Sequence, residues 1–359
     1  MSLTANCSFD LNISSDYKGK RSGYIQIGDS TNNSGWANHC VPITSIKNGS
    51  GPRVLILAGN HGDEYEGQIA ALDLARRIDV ADIQGELIVI PVLSQHASAA
   101  GTRLWPNGQN FNRVFPGKVD GTLAEKLAFF LSNDLFPTCD CVVDMHSGGR
   151  SMRFIPGTTM VWVSDLKIRA EMIRQTFAWN NAYSMIGGEQ PSTNPHSLLP
   201  GDVVRQGKAV STGEFGGAGV TTAESMGVIN RGLENFLRAM GVYVGKENFT
   251  SSSTESADDY GKIIDFRDPL SFSTAVCDGI YENRVDLLEQ VKVGDVVGLI
   301  HNFKSADNAV VEVRARRSGT VALVRGYSPV TTGDVVCKIG ELYPNLESFE
   351  ISTREKSAR

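Results

Sequence analysis

The stretch Pro52-Arg53-Val54-Leu55-Ile56-Leu57-Ala58-Gly59-Asn60-His61-Gly62-Asp63-Glu64 reads as a buried strand, a glycine turn and the first residues of a helix that runs from Glu64 to about Ile78. Outward from it, strand-like runs at 86–92, 141–145, 159–163 and 208–214 alternate with helical patterns at 122–136, 166–179 and 221–240. That alternation predicts an α/β domain with a mixed, mostly parallel sheet and helices on both faces. The first 50 residues are rich in Gly, Ser and Asn, with short β-like patches such as Tyr24-Ile25-Gln26-Ile27, and are expected to supply edge strands to that sheet. The organisation expected is therefore an N-terminal β segment 1–50, an α/β domain 51–249, a polar linker 250–264, a C-terminal β domain 265–345 and a tail 346–359.

The same stretch carries chemistry. A catalytic zinc takes three ligands of the His, Glu or Cys type and keeps a further position for water. His61 and Glu64 straddle a strand-to-helix corner, and residues three apart near a first helical turn can face one side. His146 follows a second apolar strand, Cys141-Val142-Val143, and ligand sites in open α/β sheets lie beyond the carboxyl ends of the strands. The H-x-x-E spacing is weak alone, but its place inside Gly59-Asn60-His61-Gly62-Asp63-Glu64 strengthens it. His39, His96, His196 and His301 are read as ordinary hydrogen-bonded histidines. Glu214, after the β-like run Ala209-Val210-Ser211-Thr212 and among glycines that permit close approach of a ligand, is a spare carboxylate able to move a proton. Asp144, two residues before His146 on an extended strand, points to the same side and is expected to fix the tautomer of a ligand histidine, His61 above all. Asp63 and Glu66 read as charges favouring the helix start.

Gly59-Asn60-His61-Gly62-Asp63-Glu64, then Asn112-Arg113, then Asp144-Met145-His146-Ser147, then Gly213-Glu214-Phe215-Gly216-Gly217 resemble, in order and context, the succinylglutamate desuccinylase/aspartoacylase family, a branch of the zinc carboxypeptidase superfamily. The resemblance spans roughly residues 50 to 240. It implies a zinc-carboxypeptidase-like sheet, one Zn²⁺ per chain on His61, Glu64 and His146, and Glu214 as general base and acid. It further implies that Asn112 and Arg113 bind the substrate carboxylate and that an upstream arginine, here Arg103, polarises the scissile carbonyl. A guanidinium fork suits a carboxylate because it donates two parallel hydrogen bonds, and a second cation stabilises a developing oxyanion. The family often has an acidic residue two places before the Asn-Arg pair, where this chain has Asn110. The implied activity is removal of a short acyl group, acetyl or succinyl, from a small-molecule N-acyl amino acid, with acetylated diaminobutyrate as the best single substrate. The alternatives are a metallocarboxypeptidase acting on peptide C-termini and a catalytically silent homologue that binds a small acid.

Beyond the linker the helical period disappears. Val291-Lys292-Val293-Gly294-Asp295-Val296-Val297-Gly298-Leu299-Ile300 is echoed by Val330-Thr331-Thr332-Gly333-Asp334-Val335-Val336-Cys337-Lys338-Ile339, a strand into and out of a Gly-Asp turn, twice. The repeat resembles the halves of a biotinyl/lipoyl-type β sandwich. No lysine stands at a modifiable hairpin tip, so no swinging-arm cofactor is expected, and a role in narrowing access to the site is.

Net charge is −6 and pI about 5.6, with no block of like charges, which argues against a nucleic-acid partner. The longest apolar runs fall far short of the roughly 18 residues that span a bilayer, so no membrane association is expected. The start of the chain lacks the basic and apolar parts of a signal peptide, which predicts a cytoplasmic protein. Six scattered cysteines without C-x-x-C spacing argue against a disulfide framework. Oligomeric state is left open, a homo-oligomer included.

Overall fold

A computed structural model of the chain describes residues 4–12, 16–188, 194–246, 260–304, 307 and 309–357. Arg53–Ala58 is a strand with every residue buried; it pairs in parallel with Gly85–Ile90 on one side and Cys141–His146 on the other. Val210–Glu214 extends the parallel set beside Cys141–His146. Alternate residues of these strands feed two cores. Leu55, Leu57, Ile88, Val142 and Val210 pack with Leu127, Leu131 and Leu199, whereas Val54, Ile56, Leu87, Val89 and Val143 pack with Ala71, Leu74, Leu233 and Phe236. Burial on both faces explains why these runs are continuously apolar. Helices Leu123–Phe130 and Leu199–Arg205 line the first core, and Tyr65–Arg77 and Ala223–Ala239 line the second.

On one flank a long hairpin, Gly19–Thr31 with Ser34–Asn48, joins antiparallel to Gly85–Ile90, as expected of the first 50 residues. On the other flank Gly157–Val161 runs antiparallel to Val210–Glu214, followed in order by Tyr183–Gly187, Lys262–Phe266, Val335–Tyr343 and Gly319–Arg325. The sheet is therefore mixed, with parallel strands at its centre, and it continues into the C-terminal region as one 15-stranded array. Of the expected linker, residues 250–259 lie outside the described residues. Lys262 to Ile264, expected as the end of that linker, are instead strand, and Ile263 and Ile264 are wholly buried between neighbours on both sides.

A second sheet of four strands, Val311–Arg314, Val296–His301, Gly279–Asn283 and Pro329–Val330, lies on the C-terminal part. Val291, Val297, Ile300, Val313, Val321, Val336, Cys337 and Ile339 form the core there. The sequence repeat is a structural repeat. Gly294 and Gly333 have φ of 92° and 94°, and the following aspartates accept from the backbone N–H three residues before them, Asp295 from Lys292 at 2.7 Å and Asp334 from Thr331 at 3.1 Å. The expected tail is also corrected: Leu346–Ser357 is a helix, anchored by fully buried Phe349 against Ile186, Ile263 and Tyr343. One apolar anchor per three turns leaves little periodic signal, which is why it read as tail. All six cysteines are free, and among the described residues no helix is long and apolar enough to cross a membrane.

Candidate active site

The turn Gly59–Glu64 is shaped by its glycines. Gly59 has φ of 65°, and a Cβ on Gly62 would run into the backbone of Ala97 and Ser98, so only glycine lets the turn pass against the helix Gln95–Ala100. Glu64 caps the helix Tyr65–Arg77 at its positive end, with extended backbone and its side chain free to turn inward. His146 closes the strand Cys141–His146, and Glu214 lies opposite it in the neighbouring strand. All these corners sit at carboxyl ends of parallel strands, as the sequence implied.

Three side chains converge. His61 Nδ1 lies 2.7 Å from Glu64 Oε1, and His146 Nδ1 lies 2.7 Å from Glu64 Oε2. The imidazole centroids are 5.1 Å apart, and one ligand atom from each of the three buried residues falls within 4.8 Å of the others, a grouping that could hold a metal ion. The outer ring nitrogens are occupied. His61 Nε2 faces Asn110 Oδ1 at 3.1 Å, and His146 Nε2 faces Asp144 Oδ2 at 2.9 Å, with Asn60 Nδ2 also donating to Asp144 at 3.3 Å. Both Nδ1 atoms are thereby presented to the same point, the arrangement a ligand histidine needs.

That pairing corrects one expectation: Asp144 serves His146 on its own strand, because the two-residue period sets them side by side, and Asn110 serves His61. Asn110 also accepts from the backbone N–H of Asn112 at 3.0 Å, so the residue in the place of the family's acid orients a histidine and does not brace Arg113. Arg113 donates instead to the Asn112 carbonyl at 2.7 Å.

Arg103 Nη1 reaches Glu64 Oε1 at 2.8 Å, and the Ser147 backbone N–H donates to Glu64 Oε2 at 3.2 Å. Burial opposes charge on Glu64, yet His61 and His146 hold its carboxyl well below the usual range. Burial lowers the proton affinity of His61; in His146 it is outweighed by Asp144 and Glu64, which raise it well above an ordinary histidine. Arg113 is lowered by burial and by the charge of Arg103, so the two guanidiniums share one locality. The Asn112 side-chain oxygen is engaged, accepting from the Leu199 N–H at 2.8 Å at the start of the helix Leu199–Arg205. Both residues belong to a loop that is polar at its surface but pinned in the core by Trp105 and Phe111, with Trp105 Nε1 donating to Ser94 Oγ at 2.7 Å.

Glu214 stands differently. Its Oε2 is buried and accepts no hydrogen bond from the described residues. Burial and the nearby Glu64 charge push its carboxyl up to about 8, against the opposing charges of His146, Arg103 and Lys338. Lys338 went unnoticed in the sequence, since nothing local links a β-domain lysine to a residue more than a hundred positions earlier. Asp63 and Glu66 stand at the helix start as read, and each also has a distant partner: Glu66 Oε1 accepts from the Gly217 N–H at 3.0 Å and Asp63 Oδ2 from the Arg150 N–H at 2.8 Å. Both are buried and tie down the loops that follow Glu214 and His146.

Fold and centre together define a class: a mixed α/β enzyme whose parallel strands end in a two-histidine, one-glutamate site beside a second, unpaired carboxylate. The model of the succinylglutamate desuccinylase/aspartoacylase catalytic domain matches residues 50–240, and the chain belongs to that family. It is 32% identical over 329 residues to the N-alpha-acetyl-L-2,4-diaminobutyric acid deacetylase of Halomonas elongata, covering 91% of this chain and 93% of that one. Among solved structures, the product-bound ectoine utilization protein EutE (DoeB) from Ruegeria pomeroyi is 31% identical with a TM-score of 0.86, over 95% of this chain and 100% of that one. A succinylglutamate desuccinylase/aspartoacylase from Rhodobacter sphaeroides is 35% identical with a TM-score of 0.85, over the same shares.

Proposed function

We propose that the chain is a zinc-dependent deacylase that hydrolyses the amide of an N-acyl amino acid, with N-acetylated diaminobutyrate as the first substrate to test. The observation that carries this reading is the convergence of His61, Glu64 and His146 beside the unpartnered carboxylate of Glu214. Two imidazole nitrogens and a carboxylate oxygen match the donor set of catalytic zinc. When bound, zinc supplies Lewis acidity that makes water a nucleophile near neutral pH and polarises a carbonyl. The likeness to the Halomonas deacetylase over nearly its whole length supports the substrate class.

The chain's own residues then divide the work. Arg113 and the amide group of Asn112 dock the substrate carboxylate, the Asn112 oxygen being held by Leu199 so that its NH₂ is left for the ligand. Arg103, with a flexible and partly exposed side chain, donates to the scissile carbonyl oxygen as negative charge develops there. Glu214 takes a proton from the attacking water and returns it to the departing nitrogen, a task for which a raised proton affinity is suited. Asp144 and Asn110 hold the imidazoles in register throughout.

The test is a panel of acetylated, succinylated and formylated amino acids beside blocked dipeptides, with metal content measured before and after chelation. Release of free amino acid from the acylated compounds, lost on chelation and restored by Zn²⁺, is the expected result. Turnover confined to the dipeptides refutes the substrate class, and turnover indifferent to chelator refutes the metal.

A further inference from the structure

Lys338 lies on Val335–Tyr343 between Cys337 and Ile339, both buried in the core of the C-terminal sheets. Side chains alternate along a strand, so Lys338 points from the other face, toward Phe266 and Phe272. Register carries that face round to Glu214. Thr212, two residues before Glu214, lies opposite Thr159, Thr159 opposite Met185, Met185 opposite Ile264, and Ile264 opposite Leu342, which shares a face with Lys338. From the other direction Lys338 lies opposite Leu323 and Leu323 opposite Phe154, while Arg153 is bridged to Gly217 just beyond Glu214. The strands thus close a ring around an apolar cluster of Phe154, Met185, Ile264, Phe266 and Leu323. Across it Lys338 and Glu214 act on each other through their charges.

The Lys338 ammonium stands 4.2 Å from the Phe266 ring centroid and 5.1 Å from that of Phe272. Among the described residues it has no hydrogen-bond or ion-pair partner. Lys338 is half-buried, and its three donors are not taken up by the described residues, so they are open to an anion. Burial lowers its proton affinity to about 8, with Glu214 opposing, so the ammonium persists near neutrality. The substrate class proposed above carries a carboxylate, and its amide must reach Glu214.

We propose that Lys338, carried to the cleft by the C-terminal strands, is a substrate-binding residue that donates to a carboxylate oxygen of the N-acyl amino acid. This rests on the deacylase reading, and the experiment separates the two. Calorimetric binding of N-alpha-acetyl-2,4-diaminobutyrate, the acid, and of its alpha-carboxamide, a diamide that lacks the carboxylate, is measured in the Glu214→Gln background with Lys338 intact, with Lys338→Met and with Lys338→Arg. Methionine keeps an unbranched side chain beside Phe266 and Phe272 while removing the charge. The expected result is a Kd for the acid at least tenfold weaker with Lys338→Met, unchanged for the diamide, and largely recovered with Lys338→Arg. Equal losses for both compounds, no loss for either, or no binding of the acid with Lys338 intact overturns the proposal. Should the methionine variant fail to fold, Lys338→Gln is judged by the same criterion. Failure of the wild-type chain to turn over any acylated amino acid overturns the deacylase reading alone, since the binding comparison needs no turnover.

Discussion

Glu64 and Glu214 are both acids in a desolvated pocket, and their neighbours drive them in opposite directions. Glu64 sits between two imidazoles and under Arg103 and stays ionised, fit to be a ligand. Glu214 has a buried oxygen without a donor and a raised proton affinity, fit to carry a proton. Glu214→Gln is expected to retain zinc and substrate while kcat falls by about 10²–10⁴-fold, the range for loss of a general acid–base group. Near-normal kcat in that variant removes Glu214 from the reaction. Asp144→Asn tests a subtler role. Losing the carboxylate behind His146 should weaken zinc binding by about 10–100-fold while the fold survives, checked by competition with a calibrated chelator. Unaltered zinc affinity would mean that Asp144 is a plain structural partner.

At the scale of elements, the site is set by three strand-to-loop corners and by how closely they pack. The Gly59–Glu64 turn presses on the helix Gln95–Ala100, and Asp63 of the turn and Glu66 of the helix that follows hold the loops after His146 and Glu214. Gly62→Ala should therefore act on both stability and metal binding, because its methyl meets backbone that no rotamer change can move. A loss on the order of 2–4 kcal/mol in chemical denaturation is expected, by analogy with overpacked and strained sites, together with weaker zinc retention. Wild-type stability for this variant would show that the turn has room the geometry denies. The loop with Arg103, Asn112 and Arg113 depends likewise on the anchoring of Trp105 and Phe111.

For the molecule as a whole, the decisive fact is that one sheet runs from the N-terminal hairpin through the catalytic strands into the C-terminal β region. Lys262–Phe266 hydrogen-bonds to Tyr183–Gly187 on one edge and Val335–Tyr343 on the other, so the two regions share a backbone ladder as well as side chains. Unfolding should then be a single cooperative transition, with coincident curves from Trp fluorescence, whose residues all precede the C-terminal strands in sequence, and from hydrogen exchange of those strands. Two well-separated transitions would contradict a shared sheet.

The sequence alone determined the parallel centre, because strands buried on both faces must be continuously apolar, and it marked out His61, Glu64, His146 and Glu214 as the group that converges, because ordered motifs at strand ends leave few other readings. The doubled Gly-Asp turns were equally legible, since each needs a residue tolerant of positive φ followed by a short acceptor. Tertiary structure decided the rest. It assigned Asp144 to His146 and Asn110 to His61, gave the helix-start charges Asp63 and Glu66 buried partners in distant loops, and brought Lys338 round to Glu214. It also made the stretch from Lys262 a strand of the main sheet and the expected tail a helix. Local patterns record what a residue needs from its own strand or helix; which distant group supplies a hydrogen bond or a charge depends on how the sheet curls and closes, and no periodicity encodes that.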